Sequence, residues 1–423
     1  MSLTIFNKIK DKIRYLWIHF ITFIGMKQNI VNEIAQYLKS NNVENAGKRI
    51  LDLAWYYFRD THEYEEVLEL RKEYNLSRTL GQKEIDSEQL KLFKDRLQVL
   101  LEKLSGITIT SEKLVHDPLI VVNGLEKTFN HISKKFTFGP VTITINKGEI
   151  VGVVGENGNG KTTFLRLLQE EISKDGGELM HFYNIHEQAA PDLYKRKNRT
   201  AFIPQRIPRW RGTLMENLIY FASIHGYKGE FNNKIVAYVI HRMGLTAFTG
   251  LTWNQISTGY KLRFELAKML VWEPDVLILD EPLANLDIQA TQNLLDDLKF
   301  FSQSTIHPIG ILLTSQQLHE VEQVSDKVLF LRNGKPVFCG TKKDFEVTRN
   351  KRIIEISANN GIAEIEEILS GLTSGISEVN KIIRITFPKE TTTTEVLSKL
   401  VAAKIELTYY RDITNSTVQL FND

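Results

Sequence analysis

Ile150-Val151-Gly152-Val153-Val154-Gly155-Glu156-Asn157-Gly158-Asn159-Gly160-Lys161-Thr162-Thr163-Phe164 is the stretch that decides the fold. An apolar run ends in a glycine-rich loop, and the loop ends in lysine and threonine before an apolar helix. This is the spacing GxxxxGK[ST] in the strand-loop-helix context it requires. Glycines let the backbone wrap around a β-phosphate with its N–H groups pointing inward, and the following helix adds the positive end of its dipole. Lys161 is expected to reach the β and γ oxygens as a point charge, and Thr162 to place its hydroxyl on Mg²⁺. A turn that bound nothing would have no use for that lysine and threonine.

Outward from this loop, from about Pro118 to Phe345, short β-rich runs alternate with helical ones: Leu119 to Val122, Glu149 to Val154, Thr200 to Ile203, Val276 to Leu279 and Ile309 to Thr314. Such alternation predicts a largely parallel sheet sandwiched by helices, an α/β fold. The run Val276 to Leu279 delivers Asp280 and Glu281 at its carboxyl end, where ligands of open α/β sheets bind. Asp280 is therefore expected to partner Mg²⁺, directly or through water. Glu281 is expected to polarise the attacking water, since phosphoryl transfer asks mainly for positioning and charge neutralisation.

The flanks read differently. With 423 residues, 42% of them hydrophobic, the chain can pack two or three cores, because a single core rarely exceeds about 250 to 300 residues. Up to about Val115 apolar residues recur at helical spacing. Phe93, Leu97, Leu100, Leu101 and Leu104 form one stripe, with Asp86 as N-cap and Gln89 at the capping-box position. Trp55, Tyr56, Tyr57 and Phe58 read as core. From Lys351 the order is strand (352–357), helix (362–372), strand (381–387), helix (393–403), strand (405–410) and a last strand near 417–421, a ferredoxin-like α+β module. The expected domains are thus 1–116, 117–347 and 348–423.

The net charge of +2 gives no global field toward nucleic acid, and none is expected as a partner. The lone cysteine, Cys339, makes no internal disulfide, suits a reducing cytosol and is expected to be buried among apolar residues. The apolar stretch Tyr15 to Met26 carries His19 and is well short of the roughly 20 residues that cross a bilayer. Lys8, Lys10, Lys12 and Arg14 before it would suit a helix lying on an anionic membrane surface, although packing within its own domain is preferred.

On this ordered set of motifs the chain resembles the ATP-binding cassette (ABC) ATPases from about Leu119 to Phe345. The fold implied is a P-loop NTPase cassette with a helical subdomain, between an N-terminal α-helical domain and a small ferredoxin-like α+β domain. Phe129 lies where the family stacks an aromatic ring on adenine, and a core phenylalanine would read the same. Gly155, Glu156, Asn157, Gly158, Asn159, Gly160, Lys161, Thr162 and Thr163 would hold ATP. Gln205 falls where the family's glutamine contacts Mg²⁺ and the attacking water, joining Thr162 and Asp280 as metal partners. The segment Ile256-Ser257-Thr258-Gly259-Tyr260 departs from the usual LSGGQ at its first, third and fifth positions but keeps the serine and the second glycine. Ser257 and Gly259 would then approach the γ-phosphate of nucleotide held on a second copy. Ala284-Asn285-Leu286-Asp287 matches the loop through which paired cassettes sense each other. Gln316 stands where the family usually has a histidine that bonds the γ-phosphate and orients Glu281. Glutamine donates a hydrogen bond but carries no proton, so the hydrolysis rate is the property in doubt, and His319 lies one turn later on a helical surface. The C-terminal module looks like the accessory domain of drug, haem and sodium exporter ATPases.

The resemblance implies an ATPase with ATP and Mg²⁺ as cofactors, catalytic Glu281, Gln316, Lys161 and Gln205, and a second cassette, by default a homodimer. It also implies a separate multi-span membrane permease as partner, which would place the chain in the cytoplasm on the inner face of the cell membrane. Two other classes stay open. One is a soluble regulatory ABC ATPase, against which the single cassette and the lack of long coiled coils speak. The other is an ATP-gated clamp with little hydrolysis, suggested by Gln316.

Overall fold

The computed structural model describes residues 30–80, 85–105, 118–130, 135–182, 193–284, 286–341, 344, 351–379, 382–388 and 390–413. The stretch Tyr15 to Met26, the basic residues before it and the strand expected near 417–421 lie outside the described residues.

Among the described residues four helices come first: α1 (30–39), α2 (Val43–Phe58), α3 (His62–Leu80) and α4 (Ser87–Ser105). Then follow β1 (Pro118–Asn130), β2 (Lys135–Asn146), β3 (Ile150–Val154), α5 (Lys161–Leu168), β4 (Gly176–His181), α6 (Leu193–Arg199) and β5 (Thr200–Ile203). The next are α7 (Leu214–Ile224), α8 (Gly229–Arg242), α9 (Thr258–Leu270), β6 (Val276–Leu279), α10 (Ile288–Ser302), β7 (Gly310–Ser315), α11 (Leu318–Val324), β8 (Lys327–Arg332) and β9 (Lys335–Thr341). The last described elements are β10 (Lys351–Ala358), α12 (Ile362–Ile368), β11 (Gly375–Val379), β12 (Ile382–Pro388), α13 (Thr393–Ala402) and β13 (Leu407–Asp412).

Two compact units divide these elements: Met1–Val121 with Thr144–Glu149 and Leu179–Leu312, and Val122–Ile143 with Ile150–Glu178 and Leu313–Asp423. In the first unit the N-terminal helices share their core with residues 179–312. Trp55, fully buried, stacks on Tyr238 of α8 with ring centroids 4.9 Å apart, and its Nε1 donates to Glu273 at 3.0 Å. The Asp52 carboxylate, also buried, accepts from Arg242 at 2.5 and 3.1 Å and from the Tyr238 hydroxyl at 2.8 Å. Helix α4 begins as its sequence predicts: Asp86 accepts from the Gln89 N–H at 2.7 Å, and the whole stripe Phe93, Leu97, Leu100, Leu101 and Leu104 is buried. The strands β5 and β6 pair in parallel from Thr200 with Val276 to Ile203 with Leu279. Every residue of β6 is buried, which is why it reads as an unbroken apolar run rather than an alternating one.

In the second unit β3 is likewise buried throughout and pairs in parallel with β8 from Val151 with Lys327 to Val154 with Phe330. Strand β9 returns antiparallel to β8. Helix α11 lies so close to β3 that a Cβ on Gly152 would stand 1.9 Å from Val321 Cγ1. Strand β9 corrects one expectation. Cys339 is exposed, its Sγ 3.4 Å from the Thr142 carbonyl. It shares its parity with exposed Lys335 and Val337, while Pro336 and Phe338 turn inward, the period-2 alternation of a strand.

Residues 351–413 form a sheet of order β11-β12-β10-β13, with α12 and α13 packed on it around Ile354, Ile356, Ile365, Ile383, Ile385, Phe387, Val396 and Leu400. The order β-α-β-β-α-β is ferredoxin-like, but its second strand is β11, a segment where the sequence pattern predicts no strand. Only Ile376 and Val379 of Gly-Ile-Ser-Glu-Val are apolar, too few for an edge strand to announce itself.

Candidate functional site

The loop after β3 is shaped by what stands behind it. A Cβ on Gly155 would lie 2.5 Å from the Leu331 carbonyl oxygen, and one on Gly160 would lie 2.9 Å from Phe138. Gly158 and Gly160 adopt φ of +81° and +96°, the left-handed region where side chains are strained. The Asn159 side chain, buried, accepts from the Asn333 N–H at 2.9 Å and so pins the loop to the turn between β8 and β9. Behind Gly160, Phe138 stacks on Phe164 of α5 at 5.8 Å.

Helix α5 starts at Gly160 with no side-chain cap, and a helix start is where backbone N–H groups and the helix dipole favour an anion. Lys161 is 4% exposed and folds its ammonium back onto the loop, donating to the Gly155 carbonyl at 2.6 Å and the Glu156 carbonyl at 3.3 Å. The positive charge is therefore already placed within the loop. Glu156, Asn157, Gly158 and Thr162 are exposed, and Thr163 is half-buried. Phe129 is half-buried, 6.3 Å from the Phe136 ring and 6.0 Å from the Lys127 ammonium. Gln316 is exposed just beyond β7, where the Ser315 hydroxyl accepts from the Gln317 N–H at 2.9 Å.

In the first unit β6 ends in Asp280 and Glu281, 5% and 8% exposed, with the Asp280 N–H bound to the Ile203 carbonyl at 2.9 Å. Glu281 holds φ at +47°, a conformation costing a non-glycine residue on the order of 1–3 kcal/mol and typical of functional positions. Its Oε2 accepts from Gln205 Nε2 at 2.8 Å, so the glutamine and the carboxylate predicted to share the attacking water are in direct contact.

The same unit joins the three residues expected to face a second copy. Ser257 caps α9, its hydroxyl 3.4 Å from the Tyr260 N–H, and Asp287 caps α10, accepting from the Ala290 N–H at 2.7 Å. Gly259 lets the two helices meet, since a Cβ there would stand 3.2 Å from the Cβ of Ala290. Ser257, Gly259 and Asp287 line one cavity of about 460 Å³. Asn285 and the His319 side chain lie outside the described residues.

The chemistry of these donors fits a magnesium nucleotide. The loop offers backbone N–H groups and an ammonium to phosphate. Among the described residues no group of three or more His, Cys, Asp or Glu side chains could hold a metal alone. Sequence reasoning named Asn159 but missed what supports the site: Asn333, which anchors the Asn159 side chain, and Phe136 with Phe138 behind Gly160. Their partners are distant in the chain, and no motif announces them.

A glycine-shaped phosphate cradle at a helix start and a buried strand ending in paired carboxylates define a P-loop nucleotide-binding domain. Residues 138–284 match the family model described as ABC transporter. The chain is 28% identical over 298 residues to the probable multidrug ABC transporter ATP-binding protein YbhF of Escherichia coli, covering 67% of this chain and 48% of that one. It is also 28% identical over 265 residues to the methionine import ATP-binding protein MetN 2 of Staphylococcus epidermidis, covering 61% and 76%. The chain thus spans about half the length of the first relative. Among solved structures, cbiO1 of Clostridium perfringens, described as part of the ABC transporter complex cbiONQ, superposes with a TM-score of 0.49 at 20% identity, covering 55% of this chain and 92% of that one.

Proposed function

We propose that this chain is the ATP-hydrolysing subunit of an ABC transporter, working as a pair of cassettes around two Mg²⁺·ATP and driving a separate transmembrane permease. The observation that carries this reading is the Lys161 ammonium held 2.6 Å from the Gly155 carbonyl at the uncapped start of α5, an arrangement that serves a polyphosphate and little else. In this reading the loop 155–163 binds the phosphates, Lys161 neutralises the β and γ oxygens, and Thr162, Gln205 and Asp280 provide the protein's oxygens for Mg²⁺. Glu281, oriented by Gln205, takes up the proton of the attacking water. Ser257 and Gly259 complete the site of the second copy, Asp287 lies at the junction, and Phe129 stacks on adenine.

The permease would dock near α7, which exposes Met215, Ile219, Tyr220 and Ile224. Among the described residues no helix is long and apolar enough to cross a membrane; the partner would hold the motor subunit at the cytoplasmic face. The C-terminal module would be an accessory domain of the kind found in exporter ATPases. The functional division is 1–116, 117–347 and 348–423.

Two measurements test this. Purified protein should turn over ATP with a specific activity that rises with protein concentration, and membrane extracts should yield a hydrophobic multi-span partner. Absence of turnover with tight ATP binding would favour the clamp suggested by Gln316, and co-purification with ribosomes or DNA would favour a regulatory ATPase.

A further inference from the structure

Helix α9 carries Ser257 and Gly259 at its start, and its attachments differ on its two sides. Leu262, Phe264 and Leu266 are buried in apolar core, contacts that are non-directional. On another side, less than two turns from Ser257, Arg263 Nη2 donates to Asp297 Oδ2 of α10 at 3.1 Å. The other oxygen of the same carboxylate, Oδ1, accepts from Lys48 Nζ of α2 at 2.9 Å. Lys48 also stands 3.3 Å from Glu44, and Glu44 is gripped by Arg71 at 2.6 Å and Arg78 at 2.8 Å. An alternating chain of charges therefore runs from α3 through α2 and α10 to α9.

Lys48 and Asp297 are 7% and 5% exposed. Burial pushes the Asp297 carboxyl up, and Lys48 and Arg263 more than offset it, so the group sits below the usual carboxylate range. Buried ion pairs add little net stability over apolar side chains of the same size, so adhesion alone would not call for one here. What a hydrogen-bonded charge pair adds is direction. Beside the bridge lies a cavity of about 380 Å³ lined by Lys48, Arg78, Arg263, Asn293, Asp297 and Phe300, so close packing does not fix α9 there. Helix α2 itself is a firm reference: Arg49 donates to the Phe300 carbonyl at 3.3 Å and lies 4.0 Å from that ring, while Asp52 binds Arg242 of α8.

We infer that the N-terminal helices act on the nucleotide reaction through α9, with Lys48 and Asp297 as positioning residues. They hold Arg263, and with it Ser257 and Gly259, in the orientation that nucleotide on a second copy requires. This rests on the two-cassette reading above.

The test uses the full chain with Glu281→Gln, in which ATP-bound pairs accumulate, and adds Lys48→Met, Lys48→Arg or Arg263→Gln. Affinity for a fluorescent ATP analogue is measured at protein concentrations too low for pairing, and the ATP-driven dimer constant by analytical ultracentrifugation. ATP affinity should stay within about twofold, while Lys48→Met and Arg263→Gln weaken dimerisation by about 10-fold or more, in the usual range of coupling between sites. Lys48→Arg should restore it. Arg263, whose side chain is 29% exposed, keeps the test valid if Lys48→Met does not fold. Dimerisation equal to the parent's, or ATP affinity falling in step with it, overturns the inference. A parent that does not dimerise with ATP overturns instead the two-cassette reading on which it stands.

Discussion

Replacing Asp52 with asparagine tests the claim that the N-terminal helices share a core with residues 179–312. The carboxylate is 1% exposed and accepts four hydrogen bonds, from Arg242 at 2.5 and 3.1 Å, Tyr238 at 2.8 Å and Arg49 at 3.2 Å. Arg49 keeps a second acid, Glu33, at 2.8 Å, so the charge stripped of its Asp52 partner is that of Arg242. Breaking a buried pair by removing one partner costs about 3–5 kcal/mol. At roughly 2–4 °C per kcal/mol for a unit of this size, the melting temperature should fall by about 6–20 °C. The assay is thermal unfolding by circular dichroism at pH 7.

The pH dependence has a definite sign. Burial raises the Asp52 carboxyl, and its pairing with Arg242 more than offsets this, so its folded value lies below the ordinary one. A depressed acid contributes stability that is full above the unfolded value of about 3.9 and lost as pH falls through the folded one. The deficit of Asp52→Asn should therefore be constant from about pH 5 upward and shrink below about pH 4. A variant within about 1 kcal/mol of wild type at pH 7, less than any buried-pair loss, would refute the reasoning.

Other outcomes follow from the site. Lys161→Ala should weaken ATP binding by at least about 10-fold, the loss of one charge-assisted contact of about 1.5–3 kcal/mol, read by equilibrium titration. Glu281→Gln should bind ATP yet hydrolyse it at least about 100-fold more slowly, and elute as a dimer on gel filtration. Gly160→Ala should lose both order and nucleotide affinity, because φ of +96° and the 2.9 Å approach to Phe138 leave no room for a methyl group; stability should drop by about 1–3 kcal/mol in a denaturant titration. Asp287→Ala should cost about 1 kcal/mol as a lost helix cap, measured the same way.

The phosphate loop was legible because strand, glycines, lysine and threonine are neighbours in the chain and each is demanded by local geometry. The α4 stripe and its Asp86 cap were legible for the same reason. Pairings across long stretches were not: Lys48 and Asp297 are 249 positions apart, and nothing at either end marks the other. Cys339 was misplaced because exposure on β9 depends on which parity of an outer strand faces inward, a property of the assembled sheet. Strand β11 escaped notice because an edge strand needs few apolar residues. Gly259 illustrates the reverse case: its motif suggested a phosphate contact, while the structure adds a second reason for glycine, the close approach of Ala290.

The most direct measurement is a structure of the Glu281→Gln protein loaded with Mg²⁺·ATP. The account predicts two copies with Ser257 Oγ of each about 3 Å from a γ-phosphate oxygen of the nucleotide held at Lys161 of the other. A nucleotide-loaded assembly in which both Ser257 hydroxyls point to solvent, far from any γ oxygen, would contradict it.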